Sequence, residues 1–254
     1  MRSLIRSTAV LAVALTMAAQ ALAKPAPAFD ASLLSHTFAS IFGNHTAFSA
    51  KAQVNVRHNK SAYDMDMMYY MRDGKVRIDM DMGKMGGQIP PEALDRMKLL
   101  GMQHYVVVMH PGSNNHTTML YPDLKAYVDV TPPQGDKKQG STISARKKIG
   151  TEVVDGHKCD MYTMNVTRPD GTQSTITEWV ATDLAKLPVK LSVTSGDAVA
   201  TILYKDIDRK KPAASLFDVP KGYEQYPSMR ALVVSQMTRV LGRLKDAMDS
   251  QANH

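Results

Sequence analysis

Residues 63–82 read YDMDMMYYMRDGKVRIDMDM, and two kinds of metal ligand alternate through them. Thioethers suit a soft ion such as Cu(I), whereas carboxylates suit a hard ion such as Ca2+. Asp73-Gly74 is a strong signal for a two-residue hairpin turn. With that turn fixed, Met71 stands opposite Val76, Tyr69 opposite Ile78, Met67 opposite Met80, Asp66 opposite Asp81 and Met65 opposite Met82. Strand alternation then gathers Met65, Met67, Tyr69, Met71, Val76, Ile78, Met80 and Met82 on one face. Asp64, Asp66, Met68, Tyr70, Arg77, Asp79 and Asp81 fall on the other. No single ion can use both sets. Asp66, Asp79 and Asp81 on a flat strand face lack the wrapped loop that calcium sites need. Met65, Met67, Met80 and Met82 form the alternative soft-metal set, with His110 or His116 as further ligands. The apolar reading is that methionine, unbranched and polarizable, lines a surface that accepts variable apolar ligands. Eleven of the 18 methionines lie between residues 65 and 119, which favours such a lining.

The remaining chemistry-bearing groups are sparse. His110 and His116 flank the loop PGSNN and supply at most half of a metal site. His157 and Cys159, two apart on a strand, share a face, but nothing nearby completes a nucleophilic triad. Cys159 is the one cysteine, so no disulfide forms within the chain, and a buried structural thiol is the expected state. Glycine-rich phosphate loops, nucleophile elbows and dense zinc-ligand motifs do not occur in the sequence. The basic clusters 137–138, 146–148 and 209–211 are short and lack interleaved aromatics, which argues against nucleic acid. The chain is therefore expected to be a non-enzyme without a cofactor.

The elements that position these residues are mostly strands. Residues 48–57 alternate Phe48, Ala50, Ala52, Val54 and Val56 against Lys51, Gln53, Asn55 and Arg57. Strand-like runs follow at 104–110, 116–121, 125–130, 143–149, 151–154, 157–168, 172–181, 188–195 and 198–208, with turn signals between most of them. Such a rhythm, without alternating helices, predicts a large antiparallel sheet. Helices are expected at 29–42, from its apolar spacing, and at 90–100, where prolines suit a helix start. Met229, Leu232, Val233, Met237, Val240, Leu241, Leu244 and Met248 form a helical stripe expected to be buried, placed against a core, a partner or a membrane surface.

The N-terminus carries Arg2 and Arg6, an apolar run and Ala21-Leu22-Ala23, the pattern of a cleaved secretory signal. No lipobox cysteine accompanies it, so a periplasmic or secreted location is expected, without a transmembrane helix after cleavage. Three segments follow: a signal peptide at 1–23, a β domain with an N-terminal helix at 24–226, and an amphipathic helix at 227–254. The net charge of +7 is mild for an exported protein, consistent with an ordinary solvated surface.

From residue 150 the chain resembles a family of uncharacterised exported bacterial proteins with a domain of unknown function, related to the LolA-like and LppX-like lipoprotein-carrier half-barrels. The residues that carry it are Gly150, Glu152, Gly156, Cys159, Tyr162, Trp179, Asp183, Leu184, Pro188, Lys190, Phe217, Pro220, Gly222 and Tyr223, with Pro122, Lys125 and Tyr127 upstream. The resemblance spans about 45–226, is sharpest over 150–226, and brings no catalytic residue with it. It implies an α+β, mainly antiparallel fold: a strongly curved sheet around helices, enclosing an apolar cavity for acyl chains. Met65, Met67, Tyr69, Met71, Ile78, Met80 and Met82 would then line the concave side. A lipid or acylated protein is the expected partner. An envelope protein or membrane surface at 229–248 is a further expectation, because that helix is an addition to the family pattern.

Overall fold

The computed structural model describes residues 41–42, 45–59, 61–84, 86–87, 91–110, 116–130, 142–167 and 170–252. The expected signal peptide, the Pro/Ala leader and most of the helix at 29–42 lie outside them; Ile41 and Phe42 are helical and buried. Fourteen strands form one open, strongly curved, mostly antiparallel sheet, the half-barrel class expected from the sequence. They are β1 (Ala47–His58), β2 (Ser61–Arg72), β3 (Lys75–Asp81), β4 (Gly86–Gly87), β5 (His104–His110), β6 (His116–Tyr121), β7 (Ala126–Val130), β8 (Thr142–Ile143), β9 (Lys147–Val154), β10 (His157–Thr167), β11 (Gln173–Ala181), β12 (Leu187–Ser195), β13 (Ala198–Asp208) and β14 (Glu224–Tyr226). Among the described residues, two helices besides Ile41 and Phe42 accompany the sheet, α1 (Pro91–Leu99) between β4 and β5, and α2 (Met229–Ala252) after β14.

The strand order is β14-β7-β6-β5-β3-β2-β1-β13-β12-β11-β10-β8, with β9 also paired to β10 and β4 to β2. Hairpins join neighbours almost throughout, so local turns set most of the register. Asp73 and Gly74 have φ of 49° and 80°, and Asp155 and Gly156 have 50° and 83°. Positive φ at both turn residues matches the right-handed twist of the flanking strands, which is why Asp-Gly closes β2–β3 and β9–β10. Two long-range pairings, β1 with β13 and the parallel β7 with β14, unite the N-terminal and C-terminal halves.

Two boundaries differ from the sequence expectation. Residues 143–149 and 151–154 are not two strands broken at Gly150. The break falls at residues 144–146, and β9 runs through Gly150 with a register shift where Met161 pairs with Gly150 and Tyr162 with Lys148. An extra residue absorbed as a bulge keeps the strand continuous and mimics a gap in the alternation. Likewise, β3 ends at Asp81, and Met82 opens a short 3-10 turn, Met82–Lys84. The Asp81 side chain accepts the Gly83 amide at 2.9 Å, which turns the chain out of the sheet.

The principal core lies on one face of β1–β3 and β10–β13. Phe48, Ala52, Val54, Met67, Tyr69, Met71, Val76, Leu191, Ile202 and Tyr204 are all buried there. Phe42, Phe48, Tyr69 and Tyr204 form an aromatic group with ring centroids 5.3–6.1 Å apart. A second cluster on the same face joins Met119 and Val128 to Tyr121, Ala126 and Leu232, so α2 sits on the β7–β14 end of that face.

Candidate functional site

The hairpin register is the one expected from the turn: Arg72–Lys75, Met71–Val76, Tyr70–Arg77, Tyr69–Ile78, Met68–Asp79 and Met67–Met80. Met67, Tyr69, Met71 and Val76 are buried in the principal core, and Met65, Ile78 and Met80 are half-buried against it. Met109 joins this margin, because it pairs with Val76. Met82 does not face Met65 as expected. It lies in the 3-10 turn, and β2 instead pairs Tyr63 with Gly87 and Asp64 with Gly86. The methionine face therefore grades from a dry interior at Met71 to a half-exposed edge at Met65 and Met80.

The soft-metal alternative loses ground on this geometry. The regular ladder stops at Met67–Met80, so Met65 and Met82 do not complete a four-thioether set across it. His110 and His116 cannot extend that set. Val107 and Met109 point to the methionine face, so His110, between Val108 and the loop, points to the other. Among the described residues, no three of His, Cys, Asp and Glu converge into a group able to hold an ion.

Of the three carboxylates considered for a hard ion, Asp66 is exposed, and Asp79 and Asp81 are held by internal partners. Asp79 is held by Arg77 through two hydrogen bonds of 2.6 and 2.9 Å, and Arg77 also donates to the Leu216 carbonyl at 2.7 Å. Asp81 accepts from Gln103, His104 and the Gly83 amide. Burial alone would raise the Asp81 carboxyl, but these donors outweigh it and hold it at about 2. A hard ion would have to displace them.

On the opposite face lies a cavity of about 240 Å3 between β5, β6 and β7 and the residues that follow Phe217. His110 and His116 line it with Thr118, Asp129, Phe217 and Asp218. The two imidazoles stack with centroids 4.3 Å apart and planes 7° from parallel, so their nitrogens do not converge. Burial, and then His116, push His110 below its ordinary value. Thr118 donates to Asp129 at 2.6 Å, and Gln225 donates to the other carboxylate oxygen at 3.1 Å. The cavity was not legible in the sequence, because its roof, Phe217, Asp218 and Val219, is about a hundred residues from its floor.

Cys159 is fully buried beside Trp179 and Ala181, and burial pushes its thiol up, away from the reactive thiolate. His157 meets Asp183 at 2.7 Å instead of the thiol. The expected structural role of Cys159 is the one the packing supports.

Sequence reasoning passed over one group on the methionine face. Glu178 on β11 is fully buried and pairs with Arg146. Glu178 stands beside Leu191, Leu191 beside Ile202, Ile202 beside Val54, and Val54 beside Met65. A single acid inside an alternating strand gives no signal of its own. Only the register shows that it shares a face with the methionines.

No known protein family matches the chain by sequence, nor does any curated protein. Solved structures similar to it include the lipoprotein LppX of Mycobacterium tuberculosis, with 14% identity and a TM-score of 0.38 over 76% of this chain and 100% of that one. A DUF1329 family protein from Desulfovibrio piger has 10% identity and a TM-score of 0.33 over 73% of this chain and 94% of that one. A LolA superfamily protein from Nitrosomonas europaea has 10% identity and a TM-score of 0.30 over 75% and 98%. At such identities the likeness is one of fold alone.

Proposed function

We propose that this chain is an exported, non-enzymatic binding protein that holds a lipid or a lipidated partner on its methionine face. One observation carries the reading. Half-buried Met65, Ile78, Met80 and Met109 form an apolar margin continuous with the buried core of Met67, Tyr69, Met71, Phe48 and Tyr204. An adaptable margin leading into a dry interior suits a flexible acyl chain, whose binding would come from burial at about 0.8 kcal/mol per methylene. Hand-over without chemistry fits the occupied carboxylates and the protonated, buried thiol.

The test is native mass spectrometry of the protein recovered from a periplasm without a metal-affinity tag. Lipid adducts on the wild type are expected, and their loss in Met80→Asp with circular dichroism unchanged. Met80 is the better probe than Met67 because it lies at the margin, where a charge disturbs the ligand more than the core. Adducts of equal intensity in Met80→Asp would remove this face from the binding site. Bare wild-type protein, or protein plus one copper mass, would end the lipid reading.

A second reading is favoured by one observation on α2. Val234, Leu241 and Met248, spaced by seven residues, are 53%, 52% and 67% exposed. A helix that carries such a line beyond its docked first turns suits recruitment of an envelope partner. Retention of another envelope protein by the wild type, lost in Leu241→Asp, is the result that would favour it.

A further inference from the structure

The methionine face is apolar from β3 to β12, and on β11 two polar residues, Ser174 and Glu178, are set among the buried Ile176, Met164 and Val166 of the same core. Glu178 is fully buried there, and Ser174, four residues earlier on the same strand, is nearly so. The Glu178 carboxylate meets one cation, Arg146 Nε. Arg146 lies in the bend at 144–146 between β8 and β9, with its side chain 40% exposed. Its guanidinium carbon sits 3.9 Å from the ring centroid of Tyr162, the residue paired with Glu178 across β10 and β11. Glu178 Oε2 and Ser174 Oγ have no hydrogen-bond partner among the described residues. Buried polar atoms are normally satisfied, and a carboxylate with an unused oxygen is costly. The cost shows in the acid itself, which burial pushes up against the opposing pull of Arg146. A donor supplied by a ligand would relieve it.

This inference rests on the lipid-binding reading and adds the chemistry of the ligand's head. We propose that Arg146 and Glu178 form a head-group site at one end of the methionine face, and that its ligand is a zwitterionic phospholipid. The ammonium sits on Glu178 and the phosphate on Arg146. The site holds one cation and one anion, so its complement is a head group with one of each. An anionic head on Arg146 would face the Glu178 carboxylate unpaired, and a cationic head on Glu178 would compete with Arg146. Only a zwitterion satisfies both charges where water is scarce. Arg146 is the solvent-facing member, so the head group enters beside it, and the 144–146 bend shifts to let the ammonium reach Glu178. Glu178 on β11 and Met65 on β2 are four strand spacings apart, about 19 Å. Leu191, Ile202 and Val54 form the row between the two ends, and all three are buried in the principal core, so an acyl chain reaches the methionine margin by displacing what covers that row.

The experiment is a binding titration of the full chain with three fluorescent probes carrying the same labelled acyl chain. They are a phosphatidylethanolamine, a phosphatidylglycerol and a fatty-acid methyl ester. The wild type should bind phosphatidylethanolamine about tenfold more tightly than phosphatidylglycerol, the size of one charge-assisted hydrogen bond. Glu178→Gln should erase that preference while keeping the methyl ester, and Arg146→Met should weaken both phospholipids but not the ester. Equal binding of the two phospholipids by the wild type overturns the head-group site without any variant having to fold. A preference that survives in both variants overturns it as well. If the wild type binds the ester but does not discriminate between heads, the lipid-binding reading stands and this one falls. Failure of all three probes overturns both.

Discussion

At the scale of single residues, His104 is the best-defined electrostatic device. Its Nε2 meets Asp81 at 3.1 Å and its Nδ1 meets Asp123 at 3.0 Å. A neutral imidazole donates from only one nitrogen, so both contacts are served only by the imidazolium. The Asp81 contact, and then Asp123, raise His104 above its ordinary 6.5 against the opposing effect of burial. A basic group raised in the folded state contributes stability that is complete below its unfolded value and is lost as pH rises through the folded one. Asp81, held at about 2 against an ordinary 3.8, has the opposite sign. Its contribution is complete above 3.8 and lost as pH falls through 2. As pH rises from about 6 to 8, the wild-type melting temperature should therefore fall relative to that of His104→Ala, in which this linkage is absent and the opposite one of His110 remains. Parallel pH profiles for the two proteins would show that His104 carries no such linkage. Nothing in the sequence marked this group. His104 and Asp81 meet because β3 pairs with β5, and α1 intervenes between them.

At the scale of elements, hairpins were legible and unsupported edges were not. Asp73-Gly74 was enough to place six cross-strand pairs correctly, because a two-residue loop leaves the register no freedom. The prediction failed at Met82, where the Asp81 side chain captures the Gly83 amide and local hydrogen bonding overrides alternation. The C-terminal helix shows the same limit. Its stripe correctly predicted a helix, and Ser228 caps it by accepting the Ala231 amide at 3.1 Å. Burial of the whole stripe did not follow. Met229, Leu232 and Val233 pack on Met102, Tyr121, Ala126 and Val128, whereas Leu241 and Met248 stand exposed. Periodicity reports which residues share a side of a helix; it does not report how far the sheet beneath extends. Leu232→Ala should cost about 2–5 kcal/mol, as a buried leucine does, and Leu241→Ala less than about 0.5 kcal/mol. Urea midpoints measure both. Equal losses would mean that the distal half of α2 is packed as firmly as the first turns.

At the scale of the whole molecule, the decisive feature is that β1 lies between β2 and β13. The methionine hairpin and the β10–β13 strands therefore share one sheet and one core, with Ala52 set between Met67 and Tyr204. The sequence showed the strands on both sides but not this pairing, because sequence separation of about 150 residues leaves no local trace. We expect the described sheet to unfold as one cooperative unit, in keeping with a single β domain over 24–226. Trp179, the one tryptophan, reports from β11, far along the sheet from the hairpin. Met71 is buried on β2, so Met71→Ala should destabilise by about 2–5 kcal/mol through the cavity it leaves. If the sheet is one unit, the urea midpoint read by Trp179 fluorescence moves by the same amount as the midpoint read by far-UV circular dichroism. Should Trp179 keep its wild-type midpoint while circular dichroism shifts, β1–β13 is a weak seam between two folding units. The lipid site proposed across it, from Glu178 to Met65, would then span a boundary that opens on its own, and its affinity would fall with the stability of the hairpin alone.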